Sequence, residues 1–184
     1  MIPALILAAG SGRRMGGPKA LLVLDGETLL QRTVRIAQAA GCTPVLAVVG
    51  DWDPGALDPS VRVVRNAEAA EGMASSIRAG IAALPGSTAA VLLLAIDQPA
   101  VDPPLLGRLL QLHGAQEGTA PVACAYGGRP GIPAIFPARL FPELLGLAGD
   151  RGAKPILLRE NAPTIPFPEG TWDLDTPEDL RFTR

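Results

Sequence analysis

Ile2-Pro3-Ala4-Leu5-Ile6-Leu7-Ala8-Ala9-Gly10-Ser11-Gly12-Arg13-Arg14-Met15-Gly16-Gly17-Pro18-Lys19 reads as a buried strand running into a glycine-rich, basic loop. Residues 2–8 form an almost unbroken apolar run, which a strand covered on both faces requires. Runs of the same kind at 44–49, 61–65, 89–96 and 121–125 predict four more such strands. Between them, residues 27–40 carry Leu30, Val34 and Ala37 at helical spacing, and residues 73–84 carry Met73, Ile77, Ile81 and Leu84. Residues 103–113 offer Leu105, Leu106, Leu109, Leu110 and Leu112 for a third helix. Alternating strand and helix predicts one α/β domain over residues 1–184, with a mostly parallel sheet and helices on both faces. The last third is less regular: 127–133 reads as a Gly/Pro loop, 134–136 as a short extended piece, and 138–147 as a helix.

Apolar residues make up 48% of the chain and charged residues 18%, a balance that favours a packed core over disorder. Aromatics are scarce, so the core falls to Ala, Val, Leu and Ile. A formal charge of −2 supplies no basic field for holding nucleic acid, and any bound anion must be gripped by local groups. Cys42 and Cys124 stand far apart without metal-ligand spacing, so reduced thiols are expected rather than a zinc site. Residues 1–10 are apolar, but Arg13, Arg14 and Lys19 follow them where a signal peptide carries its charge in front. No apolar run is long enough to span a bilayer. A cytoplasmic protein with neither nucleic-acid nor membrane partners is expected.

Ligands of open α/β sheets bind beyond the carboxyl ends of the strands, where the first loop stands. Glycines there let backbone N–H groups approach phosphate oxygens, and Arg13 and Lys19 add positive charge. A dinucleotide fingerprint counted from Gly10 would need glycine at Met15, which also removes a dehydrogenase reading. A Walker A loop would need Gly-Lys-Ser/Thr where Pro18-Lys19-Ala20 lies. The run Leu7-Ala8-Ala9-Gly10-x-Gly12-x-Arg14-Met15-Gly16, followed by Pro18-Lys19, resembles the signature of the MobA-like NTP transferases. That resemblance implies a nucleotide-diphospho-sugar-transferase-like fold of three layers. It also implies that Leu7, Ala8, Ala9, Gly10, Ser11, Gly12 and Arg13 wrap a nucleotide. Arg13 or Arg14, together with Lys19, would hold the β- and γ-phosphates or the α-phosphate in transfer.

The run 89–96 ends in Asp97-Gln98-Pro99. A carboxylate on the rigid end of a buried strand suits a hard cation, although an Asp in a turn can equally serve its own backbone. In Trp172-Asp173-Leu174-Asp175-Thr176-Pro177-Glu178-Asp179, extended alternation puts Asp173 and Asp175 on one face, where like charges repel unless a cation separates them. Thr176 and Pro177 read as a helix start. The resemblance pairs the Asp of the D-x-P turn with one from this segment as Mg²⁺ ligands, which maps onto Asp97 and Asp175, with Asp173 in reserve.

Asn66 and the run Gly72-Met73-Ala74-Ser75-Ser76-Ile77-Arg78-Ala79-Gly80 resemble a feature of one branch, the molybdenum cofactor cytidylyltransferases. Gly72 and Ser75 would then lie near base and ribose. Gly131-Ile132-Pro133 and Gly149-Asp150-Arg151-Gly152-Ala153-Lys154 resemble two acceptor segments of that branch, which implies Gly131, Pro133 and Arg151 as acceptor contacts. Ile132 replaces the histidine customary between glycine and proline. The expected reaction moves CMP from CTP to the phosphate of molybdopterin, with Arg14, Lys19 and Asp97 as the catalytic set and Mg²⁺ as cofactor. Alternatives are GTP as donor, another phosphorylated acceptor, or a silent carrier of cofactor to a molybdenum hydroxylase apoenzyme.

Overall fold

Strand β1 (Ala4–Leu7) lies in the interior of a seven-stranded sheet, with a parallel neighbour on each side. The structure is a computed structural model and describes residues 1–10, 12, 17–172 and 174. After β1 come a 3₁₀ turn (Lys19–Leu21) and the hairpin β2 (Val23–Leu24) and β3 (Glu27–Thr28). Helix α1 (Leu29–Ala39), β4 (Val45–Val49), β5 (Arg62–Arg65), α2 (Met73–Ala82), β6 (Ala90–Ala95) and α3 (Pro103–Ala115) follow. The chain closes with β7 (Val122–Tyr126), β8 (Arg129–Pro137), α4 (Phe141–Leu145), α5 (Lys154–Arg159) and β9 (Thr164–Pro166). The order across the sheet is β5-β4-β1-β6-β8-β7-β9, and among these strands β8 alone runs antiparallel.

Alternation along β1 assigns Ala4 and Ile6 to one core and Leu5 to the other. On the first face, Leu30, Val34 and Ala37 of α1 join Leu105, Leu106 and Leu109 of α3. On the second, Ile77 and Ile81 of α2 meet Phe136, Leu144 of α4, and Ile156 and Leu157 of α5. The expected three layers are present. Gly80 sets the depth of α2: a Cβ there would stand 2.8 Å from Leu5 Cδ1 and 3.1 Å from Val48 Cγ2. No described helix is long and apolar enough to cross a membrane.

Three expectations change. The helix read from residue 27 starts at Leu29. Asp25 and Gly26, both with positive φ, make a tight turn between β2 and β3, and Thr28 then caps α1 through a reciprocal pair with Gln31. The run 61–65 becomes an exposed edge strand rather than a doubly buried one, with Arg62 and Arg65 discouraging further pairing. Residues 127–133 are not a loop. Gly127 and Gly128 both adopt positive φ, so β7 and β8 pair from Tyr126 opposite Arg129 onward.

Candidate active site

The carboxyl ends of β1, β4, β5 and β6 open onto one edge of the sheet. Ala8 and Ala9 are buried there and Gly10 is exposed, the Ala8 N–H donating to Val48 O at 2.9 Å. Gly12 (φ +56°) lies so close to the returning chain that a Cβ on it would be 1.9 Å from Gly17 O and 2.9 Å from Lys19 N. Ser11, Arg13 and Arg14 of this loop lie outside the described residues. Lys19 Nζ stands 3.5 Å from Asp97 Oδ2, which joins two candidates 78 residues apart; both side chains are largely shielded, at 17% and 32% exposure.

Three backbone carbonyls fix the Asp97 turn. Asp97 O accepts from Leu174 N–H at 2.9 Å, Gln98 O from Val101 N–H at 3.2 Å, and Pro99 O from Arg32 Nη2 at 3.1 Å. The turn then passes directly into α3, where Asp102 caps the helix by accepting from Leu105 N–H. Leu174 is buried, while Asp173 and Asp175 on either side of it lie outside the described residues. Asp97 offers a hard oxygen donor at the site's rim. Among the described residues no group of three or more His, Cys, Asp or Glu could enclose a metal. Mg²⁺ usually keeps several waters and takes one or two carboxylates plus substrate phosphates, so Asp97 fits as one of its protein ligands.

A second cluster surrounds the start of α2. Gly72 (φ +122°) lets the 149–152 loop approach: a Cβ on it would be 2.2 Å from Asp150 Oδ1 and 2.8 Å from Gly149 O. Ala74 N–H donates to Gly149 O, and Gly149 N–H to Glu71 Oε1 at 3.0 Å. Arg78 pairs with Glu71 and Glu68 and donates to Leu147 O. Its guanidinium, with the Gly149 N–H, holds the Glu71 carboxyl down to about 2. Ser75 is buried, donating to Gly72 O and accepting from Asn66 Nδ2, so its hydroxyl braces the helix start. The structure therefore brings the Gly72–Ser75 segment to the 149–152 loop, beside which Arg151 and Lys154 are exposed.

Gly131 and Pro133 fall on a bulge of β8, where the register passes from Ala123 opposite Ala134 to Cys124 opposite Gly131. Tyr126 Oη donates to Ile132 O at 2.9 Å, so close over Gly131 that a Cβ there would meet Oη at 2.4 Å. Tyr126 also packs edge-on against Phe167, beside Gly170, whose carbonyl accepts from Gln98 Nε2. That chain of contacts links the bulge to the Asp97 turn. Sequence reading missed Arg32, Gln98, Glu71 and Tyr126. Of these, Gln98 alone had a local signal, its place inside the D-x-P turn. His113 sits at the far end of α3, its Nδ1–H donating to Ala120 O, and burial pushes its pKa down.

The model of the MobA-like NTP transferase domain matches residues 4–164. The chain belongs to that family. Its relatives carry several names. The nicotine blue oxidoreductase of Paenarthrobacter nicotinovorans is 32% identical over 170 residues, covering 86% of this chain and 82% of that protein. A molybdenum cofactor guanylyltransferase of Rhodobacter capsulatus is 30% identical over 185 residues, covering 97% of this chain and 93% of its own. Rv0371c from Mycobacterium tuberculosis superposes with a TM-score of 0.78 at 28% identity, covering 99% of this chain and 97% of that one. A crystal structure of that protein in complex with manganese gives 0.75 at 26%, again covering 99% and 97%. For this MobA-like chain, the loop signature and the three-layer fold agree with the family match.

Proposed function

We propose that this chain is a divalent-metal-dependent nucleotidyltransferase that moves a nucleoside monophosphate from an NTP to the phosphate of molybdopterin. The observation that carries the reading is the meeting of Lys19 and Asp97 at the mouth of the first glycine loop. An acceptor phosphate oxygen attacks the α-phosphorus, a P–O bond forms, and the bond to the bridging oxygen breaks to release pyrophosphate. A phosphomonoester is largely dianionic at neutral pH because its second pKa is about 6, so a general base adds little. That fits a chain whose single histidine is buried at the other end of α3. Lys19, with Arg14, would steady the departing pyrophosphate, while Asp97 and Asp175 would hold Mg²⁺. When bound, that ion would neutralise phosphate charge as it develops. The Leu174–Asp97 hydrogen bond brings the segment that carries Asp173 and Asp175 to Asp97, which supports a second ligand from it, Asp175 by the resemblance with Asp173 in reserve. Gly131, Pro133 and Arg151 are proposed to face the acceptor, and Gly72 and Ser75 the base and ribose. A single domain working in the cytoplasm completes the reading.

CTP is the proposed donor, because GTP-using relatives tend to carry Leu-Ala-Gly-Gly where this chain has Leu7-Ala8-Ala9-Gly10. The guanylyltransferase relative favours GTP as a second reading. The purified protein should be incubated with Mg²⁺, molybdopterin and each of CTP, GTP, ATP and UTP, with pyrophosphate measured and the dinucleotide weighed. One NTP should give both products, and Asp97→Ala should abolish turnover while keeping the wild-type circular dichroism. No pyrophosphate from any NTP, or wild-type turnover in Asp97→Ala, removes the assignment. Catalysis of a hydride transfer instead would align this chain with its oxidoreductase relative.

A further inference from the structure

We infer that Arg32 is a positioning residue that aims Asp97, and that α1 is the bracket setting the spacing of Lys19 and Asp97. The inference rests on the reading of that pair as the catalytic edge. Both halves of the pair are anchored to the first turns of α1. On the Lys19 side, Leu21 N–H donates to Pro18 O and Leu22 N–H to Lys19 O, closing the 3₁₀ turn. Leu29 N–H, at the start of α1, then donates to Leu22 O at 2.9 Å and fixes the end of that segment. On the Asp97 side, Arg32 lies one helical turn further along and reaches Pro99 O at 3.1 Å, across 67 residues of sequence.

Arg32 sits where its geometry is costly. Among the described residues its Nε is buried without an acceptor, its side chain is 24% exposed, and its ion pair to Glu27 is long, at 3.8 Å. Leaving a buried donor unmatched carries a desolvation cost, so a side chain chosen for stability alone would not be held this way. What the guanidinium does secure is the carbonyl two residues beyond Asp97. The other two carbonyls of the turn are tied by Val101 and Leu174. Removing Arg32 therefore frees one of three tethers, and the carboxylate gains an orientation in which Lys19 and a metal-bound triphosphate are no longer met together. Supporting residues that orient a metal ligand typically change metal affinity or activity by about 10–100-fold when lost.

The test compares Arg32→Gln, Arg32→Lys and, as a control on the same helix, Arg35→Gln, whose guanidinium is exposed and paired with Glu27. Mn²⁺ binding is followed by electron paramagnetic resonance of the free ion, with CTP or GTP present and no acceptor, beside Tm, kcat and KM. Arg32→Gln should weaken Mn²⁺ about tenfold and lower kcat by a similar factor, with KM for the NTP within about twofold. Arg32→Lys, which keeps a donor for Pro99 O, should recover a substantial part of both losses, and Arg35→Gln should match wild type. Unchanged Mn²⁺ binding in Arg32→Gln, or a lysine variant no better than the glutamine one, overturns the inference. Should Arg32→Gln fail to fold, Arg32→Lys decides by the same readout: intermediate Mn²⁺ affinity supports the role and wild-type affinity refutes it. A wild-type protein that binds Mn²⁺ with NTP yet releases no pyrophosphate would defeat the proposed reaction and leave the Mn²⁺ comparison to judge Arg32.

Discussion

Gly12→Ala perturbs the first loop at its tightest point. The added methyl would lie 1.9 Å from Gly17 O, 2.9 Å from Gly17 C and 2.9 Å from Lys19 N. Ordinary contact begins at 3.4 Å, so the two arms of the loop must part by about 1.5 Å, the difference between the two distances. Backbone supplies the colliding atoms, so no side-chain rotation relieves the overlap. Alanine in the left-handed region that Gly12 occupies adds about 1–2 kcal/mol of strain, which lowers Tm by about 2–8 °C in a domain of this length. A displacement of about 1 Å in a positioned catalytic group costs about 100-fold in rate, or about 2.7 kcal/mol. A parting taken up on the Gly17–Lys19 side shifts Lys19 against Asp97 by that distance. Titration calorimetry with the NTP and Mg²⁺ measures the binding loss, and pyrophosphate release measures the catalytic one. Gly17→Ala, where a Cβ meets nothing within 4 Å, should leave the stability of the ligand-free protein unchanged. Wild-type nucleotide affinity and kcat/KM in Gly12→Ala would show that the loop does not enclose the triphosphate.

Gly72→Ala combines positive φ with a clash against Gly149 backbone at 2.8 Å, and should cost about 2–4 kcal/mol, lowering Tm by about 5–15 °C. Adding Asp150→Gly should restore only part of that loss in a thermal melt, since Gly149 remains in the way. Gly107→Ala, in α3 with open space around the new methyl, should raise Tm by about 1–4 °C. Burial outweighs the Ala120 carbonyl and holds the His113 pKa below its ordinary 6.5, so the unfolded chain takes the extra proton first. Stability from this residue is then complete above pH 6.5 and falls as pH drops from there towards the folded value. His113→Leu should flatten that part of a Tm-against-pH curve, and an unaltered slope would refute the assignment.

The strands nearest the centre were readable because burial on both faces leaves an unbroken apolar signature, as in β1, β4 and β6. The same signature misplaces β5, since Val61, Val63 and Val64 say nothing about whether a further strand lies beside them. The hairpins at Asp25-Gly26 and Gly127-Gly128 carry local turn chemistry that a helix pattern and a proline-rich composition masked. The elements α5 and β9 are too short to show a period, and α5 contains Pro155 in its first turn. At the site, Lys19 and Asp97 were each legible from their position after a strand. Their contact and its supports depend on partners that no local pattern links: Arg32 reaches across 67 residues and Gln98 across 72. Glu71 and Arg78 pin a loop near position 149 through contacts that span 78 and 69 residues.

The antiparallel placement of β8 in the seven-stranded sheet bears on how such a protein could change its substrates. Because β8 enters beside β6 from the opposite direction, the sheet is partitioned by chain order, with strands formed before residue 96 on one flank and those formed after residue 121 on the other. The Asp97 turn, just after β6, is the seam between the two flanks. Under the proposed reaction, substitutions among the later strands need not disturb the Gly12–Lys19 loop beside the earlier ones, so the acceptor could change while the hold on the NTP is kept.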